Sequence, residues 1–420
     1  MGKRFAQENL PPEIQAKAER MNLVEAHIPE YTLPAVIPSG VKHGIDFQRL
    51  GRPHLLGLFE KYMYGAIPPS CQEFVCELTA EDTKAYAGLA TRREFALHCR
   101  HNGQSRTLNM LLYLPNGVLG SVPVFFGLNF KGNIACSTDP GVTYKAPDFY
   151  PPLGTIRYAD NRATEEQRGN LASRWEFEQV LRRGYAAASI CYYDIYPDRP
   201  DGFEKSIMRL FYQPKEWSSP ERNSGAISAW AWGISRAIDC LQTQPEIDSR
   251  RIIVHGHSRL GKTALWAGAN DQRIALTVSN CSGTCGAKLA KRYYGENYEW
   301  ILNWNPHWLR ADFGQWSARE ATIPLDQHQL LALLAPRLLY VASASEDVYA
   351  DPKGEFLAAV AASPAYQLFG SQGVLSSSQP PIGELSSGDI GYYLRRGEHA
   401  VTPENWQALL TYCDRKLPAS

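Results

Sequence analysis

The sequence predicts an α/β protein whose doubly wound, mostly parallel sheet lies between two layers of helices, with antiparallel strands on its N-terminal side. Three observations carry this prediction. From residue 174 onward, buried strand patterns alternate with helical ones, the order that builds a parallel sheet covered on both faces. Between 95 and 130, three strand patterns follow one another over short connections, as neighbours in an antiparallel sheet do. With 420 residues the chain is far past the size at which a hydrophobic core sustains itself, so no staples are required.

In chain order, the antiparallel strands are expected at 95–99, at 107–114 before Pro115-Asn116-Gly117, and at 123–130. A segment from 132 to 170 follows, rich in Pro, Gly, Asp and Tyr. It exceeds the roughly 12–15 residues of an ordinary connection, and ordered loops of that length tend to carry function. Residues 174–183 read as a helix and 184–195 as a near-continuous apolar run that suits a strand buried on both faces. A long amphipathic helix is expected over 225–244, strands over 251–255 and 274–278, a helix over 325–335, and strands over 337–344 and 388–394. Thr402 followed by Pro403 makes an N-cap and first-position pair for a closing helix to about residue 417. The stretch 372–387, with Ser376-Ser377-Ser378 and Pro380-Pro381, reads as a flexible surface loop. No repeat or clean linker divides the chain. Residues 91–420 are therefore expected to form one domain, with residues 1–90, weakly patterned, packed on it as an extension.

Composition narrows the function. Lys plus Arg is 43 and Asp plus Glu is 43, so a nucleic-acid or anionic-membrane surface lacks its electrostatic driving force. No apolar stretch approaches the roughly 20 residues of a membrane-spanning helix. The first 30 residues hold no apolar leader core, so either the protein stays in the cytosol or the numbering begins after a removed leader. Nine cysteines form neither a dense disulfide framework nor a paired CxxC pattern. Neither a metal nor another cofactor is expected. Twenty-two tyrosines and 10 tryptophans suit a sugar-stacking surface, although core use explains most of them.

The strongest local signal is Val254-His255-Gly256-His257-Ser258-Arg259-Leu260-Gly261-Lys262, where a strand meets a helix at a serine. In a nucleophile elbow the sharp turn needs glycine two residues before the serine, and Gly256 meets that need. The usual second glycine is displaced by one, with Leu260 in its place. Arg259 and Lys262 fall in the first helical turn, where the macrodipole disfavours cations by about 0.3–1 kcal/mol each. A developing oxyanion, stabilised by backbone N–H groups and by Arg259, would reverse that sign. Lys262, one turn beyond the serine, would reach a polar part of a substrate; the plain alternative pairs both cations with surface carboxylates.

A serine nucleophile needs a base, and the base an acid, in the chain order serine, acid, histidine at the carboxyl ends of strands. His399, just before the last helix, occupies the expected place. His257, expected to point away at the turn, His307 and His328 read as structural histidines. For the acid, the strand over 337–344 runs out at Ser345-Glu346-Asp347-Val348-Tyr349-Ala350-Asp351; Asp347 is the choice, with Glu346 and Asp351 competing.

These residues resemble the glucuronoyl esterases of carbohydrate esterase family 15. The resemblance rests on Gly256-His257-Ser258-Arg259-Leu260-Gly261-Lys262 and its continuation to residue 269, Ser282-Gly283, Gly295-Glu296-Asn297, Asp326-Gln327-His328, Ala335-Pro336-Arg337 and Gly397-Glu398-His399, with upstream matches at Tyr64-Gly65, Pro68 and 127–133. It implies an α/β-hydrolase fold and hydrolysis of esters between glucuronic acid on xylan and lignin alcohols. It further implies Ser258 as nucleophile, Arg259 as oxyanion donor, Lys262 and Glu296 as contacts to sugar hydroxyls, and His399 as base. Tyr349 falls where many members pack a tryptophan on the sugar. By the same resemblance the protein is secreted or periplasmic, with a sugar ester or polysaccharide as its only partner and a monomeric chain.

Two departures stand out. Many members carry a catalytic glutamate where this chain has Cys281, and a neutral thiol cannot supply the negative charge an imidazolium requires. Some bacterial members resemble this chain in placing an aspartate after the later strand, which agrees with Asp347. Fungal members tie the nucleophile turn to the histidine loop by a disulfide; here those places hold His257 and Ala400. Two other readings follow: an esterase of another acylated sugar, or a carbohydrate-binding homologue whose chemistry was weakened or lost at Cys281. The alcohol side of the ester is expected to face aromatic loops including 144–158.

Overall fold

The computed structural model describes residues 21–145, 162–220 and 222–417. One ten-stranded sheet runs through it: β1 (Glu73–Ala85), β2 (Ala90–His101), β3 (Gln104–Pro115), β4 (Val122–Asn129), β5 (Ala186–Cys191), β6 (Ile247–His257), β7 (Ile274–Asn280), β8 (Leu338–Ala344), β9 (Leu385–Ser387) and β10 (Ile390–Arg395). Across the sheet they lie in the order β1-β2-β3-β5-β4-β6-β7-β8-β10-β9. β5, β4, β6, β7, β8 and β10 run parallel to one another, while β1, β2 and β3 form an antiparallel flank and β9 closes the other edge antiparallel to β10. This is the α/β-hydrolase architecture.

Three expectations need correction. The pattern over 123–130 is a strand, β4, but not an antiparallel neighbour of β3: it inserts between β5 and β6 and pairs parallel with both. Its residues are buried throughout, the mark of a central parallel strand rather than of a meander with one wet face. The end of the expected surface loop, Leu385–Ser387, is strand β9. Cys76 and Cys240, 164 residues apart, form a disulfide that ties β1 to the long helix behind the sheet; connectivity over such a separation is not readable from spacing. Cys281 and Cys285 are both buried, and neither is part of a disulfide.

The main helices are α1 (Arg52–Tyr62), α2 (Phe177–Arg182), α3 (Ala226–Leu241), α4 (Arg259–Asn270), α5 (Gln327–Ala332), α6 (Pro352–Gln367) and α7 (Pro403–Lys416). They cover both faces of the sheet. Along β4, Phe126 joins the cluster built with Trp230, Trp232 and Trp266 from α3 and α4, whereas Phe125 joins the opposite cluster with Val180 and Trp406 from α2 and α7. Val254 and Ile253 of β6 divide in the same way, as the two-residue period of a strand requires. Among the described residues no helix is long and apolar enough to cross a membrane. Of the segment 132–170, Asn133–Cys136 forms a one-turn helix; residues 146–161, which hold most of the aromatic stretch 144–158, lie outside the described residues.

For the site, one consequence of strand order matters most. β6, β7, β8 and β10 are consecutive neighbours running the same way. The segments leaving their carboxyl ends therefore sit side by side, although up to about 140 residues separate them in sequence.

Candidate active site

The turn after β6 is built from backbone outward. Ser258 adopts φ 59° and ψ −126°, a left-handed conformation that costs a side-chain-bearing residue of order 1–3 kcal/mol and persists only where its surroundings enforce it. Here the enforcement is visible. The Ser258 N–H donates to the Asn280 carbonyl at 2.9 Å, extending the β6–β7 register by one residue, and the Ser258 carbonyl accepts from the Gly261 and Lys262 N–H groups to open α4. A Cβ at Gly256 would penetrate the carbonyl group of Leu260. This explains why Gly256 is required and Leu260 tolerated: Leu260 contributes only its carbonyl to the tight point, while its side chain is buried in the core.

His399 lies on the segment after β10 and Asp347 on the segment after β8. The His399 Nδ1 and Asp347 Oδ2 are 2.6 Å apart, with the aspartate side chain 1% and the histidine 15% exposed. Glu346 is exposed, and Asp351 caps α6 through the Gly354 N–H at 2.9 Å while facing Arg292 at 3.2 Å. Of the three acids considered, only Asp347 has a carboxylate hydrogen-bonded to His399 among the described residues.

His257 does not point away at the turn as expected. Its ring lies 4.4 Å from that of His399, centroid to centroid, tilted by 39°, and its Nδ1 is 2.8 Å from the Asn280 side-chain oxygen. This contact between the two imidazoles brings the His399 segment over the residue that precedes Ser258. His307 and His328 are held elsewhere, His307 on Asp198 at 2.9 Å and His328 on the Pro34 carbonyl at 2.8 Å.

Arg259 is not paired with a surface carboxylate. Its guanidinium is bound to the carboxylate of Asp198, which is 1% exposed, and it lies 5.1 Å from the Trp308 ring and 5.8 Å from that of Phe130. Asp198 also accepts from Tyr192 at 3.0 Å, His307 at 2.9 Å and Trp308 at 2.6 Å. Burial pushes the Asp198 carboxyl up, but the Arg259 charge and these donors outweigh it and hold the group far below the usual carboxylate range. Burial likewise lowers Arg259 and Asp198 more than restores it, so the cation is locked in its charged form. The Arg259 Nε is buried with no hydrogen-bond partner among the described residues: one donor of the fork remains to be used.

Lys262 is buried, and its ammonium donates to the Ser282 carbonyl. Glu296 is buried as well, and its backbone N–H donates to the Tyr349 carbonyl at 2.9 Å. Gly283 packs between them: a Cβ there would come within 3.3 Å of Ala350 and 3.5 Å of the Glu296 carboxylate. The 282–283 turn therefore links Lys262 to the Glu296 and Tyr349 segments. Tyr349 is half-buried against Trp300, Trp304 and Met21.

Two contributors have no counterpart in the sequence reading. Asp198 follows the apolar run of β5 inside Pro197-Asp198-Arg199-Pro200-Asp201, which reads as a surface turn; the usable signal was an acid just beyond a central strand. Glu355, on α6, is wholly buried and accepts from the Gly283 N–H at 2.8 Å and the Ser343 hydroxyl at 2.6 Å. It clamps the β7 exit to the last turn of β8. Burial, aided by the negative charge of Asp347, raises its carboxyl to about 7.

Comparison with known proteins places the chain in a family. The profile of the fungal glucuronyl esterase family matches residues 211–370. A carbohydrate esterase from an unknown prokaryotic organism is 38% identical over 411 residues, covering 97% of this chain and 94% of the relative. The solved structure of a glucuronoyl esterase from Solibacter usitatus superposes with a TM-score of 0.85 at 37% identity, covering 93% of this chain and 99% of that one. A promiscuous esterase of carbohydrate esterase family 15 from a marine bacterial metagenome gives 0.83 at 37% identity, over 94% and 99%. The chain belongs to the glucuronoyl esterases of carbohydrate esterase family 15.

Proposed function

We propose that this esterase hydrolyses the ester between glucuronic acid, with or without its 4-O-methyl group, on glucuronoxylan and an alcohol of lignin, through an acyl-enzyme on Ser258. The observation that carries the reading is the 2.6 Å bond between His399 and Asp347, held over the residue before the serine. With Nδ1 engaged by the carboxylate, Nε2 is the nitrogen available to take the Ser258 proton. The serine oxygen attacks the uronoyl carbon, and negative charge builds on the former carbonyl oxygen. Helix-start N–H groups, which have no intrahelical partner, and the Arg259 fork stabilise it. His399 returns the proton to the departing alcohol, then activates the water that releases glucuronate. Lys262, Glu296 and Tyr349 hold the sugar.

The same reading assigns the protein to an exported compartment. The Cys76–Cys240 disulfide supports it, since such bonds persist where the surroundings are oxidising. We take the chain to act as a monomer without nucleic-acid or membrane partners. A homologue that only binds carbohydrate loses its motive once the charge missing at Cys281 is supplied by Asp347.

The decisive measurement is hydrolysis of benzyl glucuronate by the wild type and by Ser258→Ala. A fall of at least about 10³-fold is expected, and undiminished turnover refutes the nucleophile. Substrate class is tested by comparing methyl glucuronate with methyl galacturonate and acetylated xylan. Equal rates on all three would remove glucuronate from the proposal.

A further inference from the structure

The Cys281 thiol, one carboxylate oxygen of Asp347 and a ring nitrogen of His399 lie within 4.8 Å of one another. Three neighbouring segments deliver them: Cys281 follows β7, Asp347 follows β8 and His399 follows β10. Cys281 is fixed by its backbone, with φ 47° and its N–H on the Ala342 carbonyl at 2.7 Å, while Asp347 is buried and His399 forms the accessible side of the group. We propose that these three side chains chelate a thiophilic divalent cation such as Zn²⁺, and that this chelation switches the esterase off.

The donor set is chemically apt. Sulfur, imidazole nitrogen and carboxylate oxygen are the three ligand types of zinc, at about 2.3, 2.0–2.1 and 2.0–2.2 Å. A tetrahedral centre with those bonds spaces its donors about 3.3–3.7 Å apart, from the same bond lengths, so no pair has to close by more than about 1.5 Å, while the His399 Nδ1 and Asp347 Oδ2 atoms, 2.6 Å apart, have to open to admit the ion. Binding is Cys281–SH plus Zn²⁺ giving Cys281–S–Zn and a proton released to solvent. Although buried thiols hold their protons, a coordinating thiol is deprotonated outright. The thiolate and the aspartate together cancel the two charges of the ion, which removes the main obstacle to placing it in a buried setting.

Chelation consumes the His399–Asp347 pair. The nitrogen lone pair that the metal takes, or the carboxylate that orients the ring, is lost to catalysis. The soft ligand is Cys281 alone: a carboxylate at that position would leave an oxygen and nitrogen set without the thiolate that favours thiophilic metals. The departure from the family pattern that left the acid to Asp347 would thus also create the metal sensitivity. The inhibitory half of this proposal rests on His399 as base; the binding half does not, and the experiment reads them separately.

The test uses the intact protein freed of metal with a chelator. Co²⁺ is titrated in while the near-ultraviolet thiolate-to-cobalt charge-transfer band is recorded, and Zn²⁺ is titrated against benzyl glucuronate turnover. The band should appear in the wild type and vanish in Cys281→Ala and in Cys281→Ser, the second of which keeps size and polarity should the first fold poorly. Since even an outer-shell partner is worth about 10- to 100-fold in metal affinity, half-inhibition by Zn²⁺ should shift upward by at least that much in either variant, each compared with its own metal-free rate. A chelator should restore the wild type. Absence of the band, or equal Zn²⁺ sensitivity in wild type and variants, overturns the proposal. A band with undiminished turnover upholds the chelate and overturns His399 as the base.

Discussion

The segments leaving β7 and β8 are neighbours with opposite chemistry. After β7 comes Cys281, a thiol locked by its backbone N–H on the Ala342 carbonyl; after β8 comes Asp347, whose carboxylate takes His399 at 2.6 Å. Both deliver a donor atom to the same few ångströms around one imidazole. His399, at the end of β10, lies within reach of both strand ends because β7, β8 and β10 are consecutive in the sheet. The requirement on the protein is a negative charge at the ring's Nδ1 side, not a residue at a given sequence position. A carboxylate can therefore move from one strand end to the next without the fold changing, and the vacated place is free to hold a thiol.

The sharpest way to break this comparison is to remove the charge at Asp347. Asp347→Asn keeps the shape but favours the wrong tautomer of His399, a change worth about 10⁴ in kcat where the analogous aspartate has been neutralised. Turnover of benzyl glucuronate should fall by roughly 10³- to 10⁴-fold with KM little altered, as expected when an interaction matters mainly in the transition state. A loss below tenfold would move the acid elsewhere, with Cys281 and Glu346 the next to examine.

A second prediction concerns the other side of the serine. Asp198 holds the Arg259 guanidinium while His307 and Trp308 hold Asp198. Asp198→Asn leaves a mostly buried cation without its counter-ion and frees the fork to wander. The kcat should drop by about 10²- to 10³-fold, the cost of losing one oxyanion donor. Stability should fall by an amount at or below the roughly 3–5 kcal/mol of a broken buried pair, since Arg259 is partly exposed. Denaturant unfolding and steady-state kinetics on the same preparation separate the two effects, and a variant with wild-type kcat would show Arg259 to be structural.

What could be read from the sequence divides by distance along the chain. Ser258 was legible because an elbow is local: glycine, serine and the helix start all fall within six residues. His399 and Asp347 were legible through the rule that such groups follow strand ends in a fixed order, which needs only strand positions. The alternation of buried runs likewise marked the parallel half of the sheet. Whatever depends on which strands become neighbours was hidden. β4 read as a third antiparallel strand because an apolar run carries no direction. The Cys76–Cys240 bond, the turn of His257 toward His399, and the anchoring of Arg259 by Asp198 all join segments that only the folded topology brings together. Glu355 gave no signal because nothing local shows that its helix face abuts two strand exits.

Glu355 gives a third, smaller test, on stability against pH. Burial raises its carboxyl from 4.5 to about 7. Between those values the folded protein keeps a proton that the unfolded chain has released, so folding stability declines as pH rises through that window and remains lower above it. Asp347 on β8's exit and Lys262 on α4 are the charged groups bearing on it, with opposite signs. Glu355→Gln cannot titrate and should lack this slope. The difference in Tm, wild type minus variant, should therefore decrease from about pH 4.5 to pH 8, and a constant difference would show that the clamp is already ionised.

The smallest expected effect is at Cys281, and it sharpens the comparison from the other side. If charge at Nδ1 is what the base requires, and Asp347 supplies it, the thiol at the neighbouring strand end is not needed for that charge. Cys281→Ala removes one buried sulfur, a change costing on the order of 1 kcal/mol or less by analogy with small buried truncations. The backbone N–H bond to Ala342 that fixes the segment is untouched. In metal-free buffer, kcat on benzyl glucuronate should stay within about twofold of wild type, well under the 1.4 kcal/mol that a tenfold change represents, while Tm falls slightly. A large kcat loss with normal stability would mean that the thiol takes part in orienting His399, and that the two strand ends share the acid's work instead of dividing it.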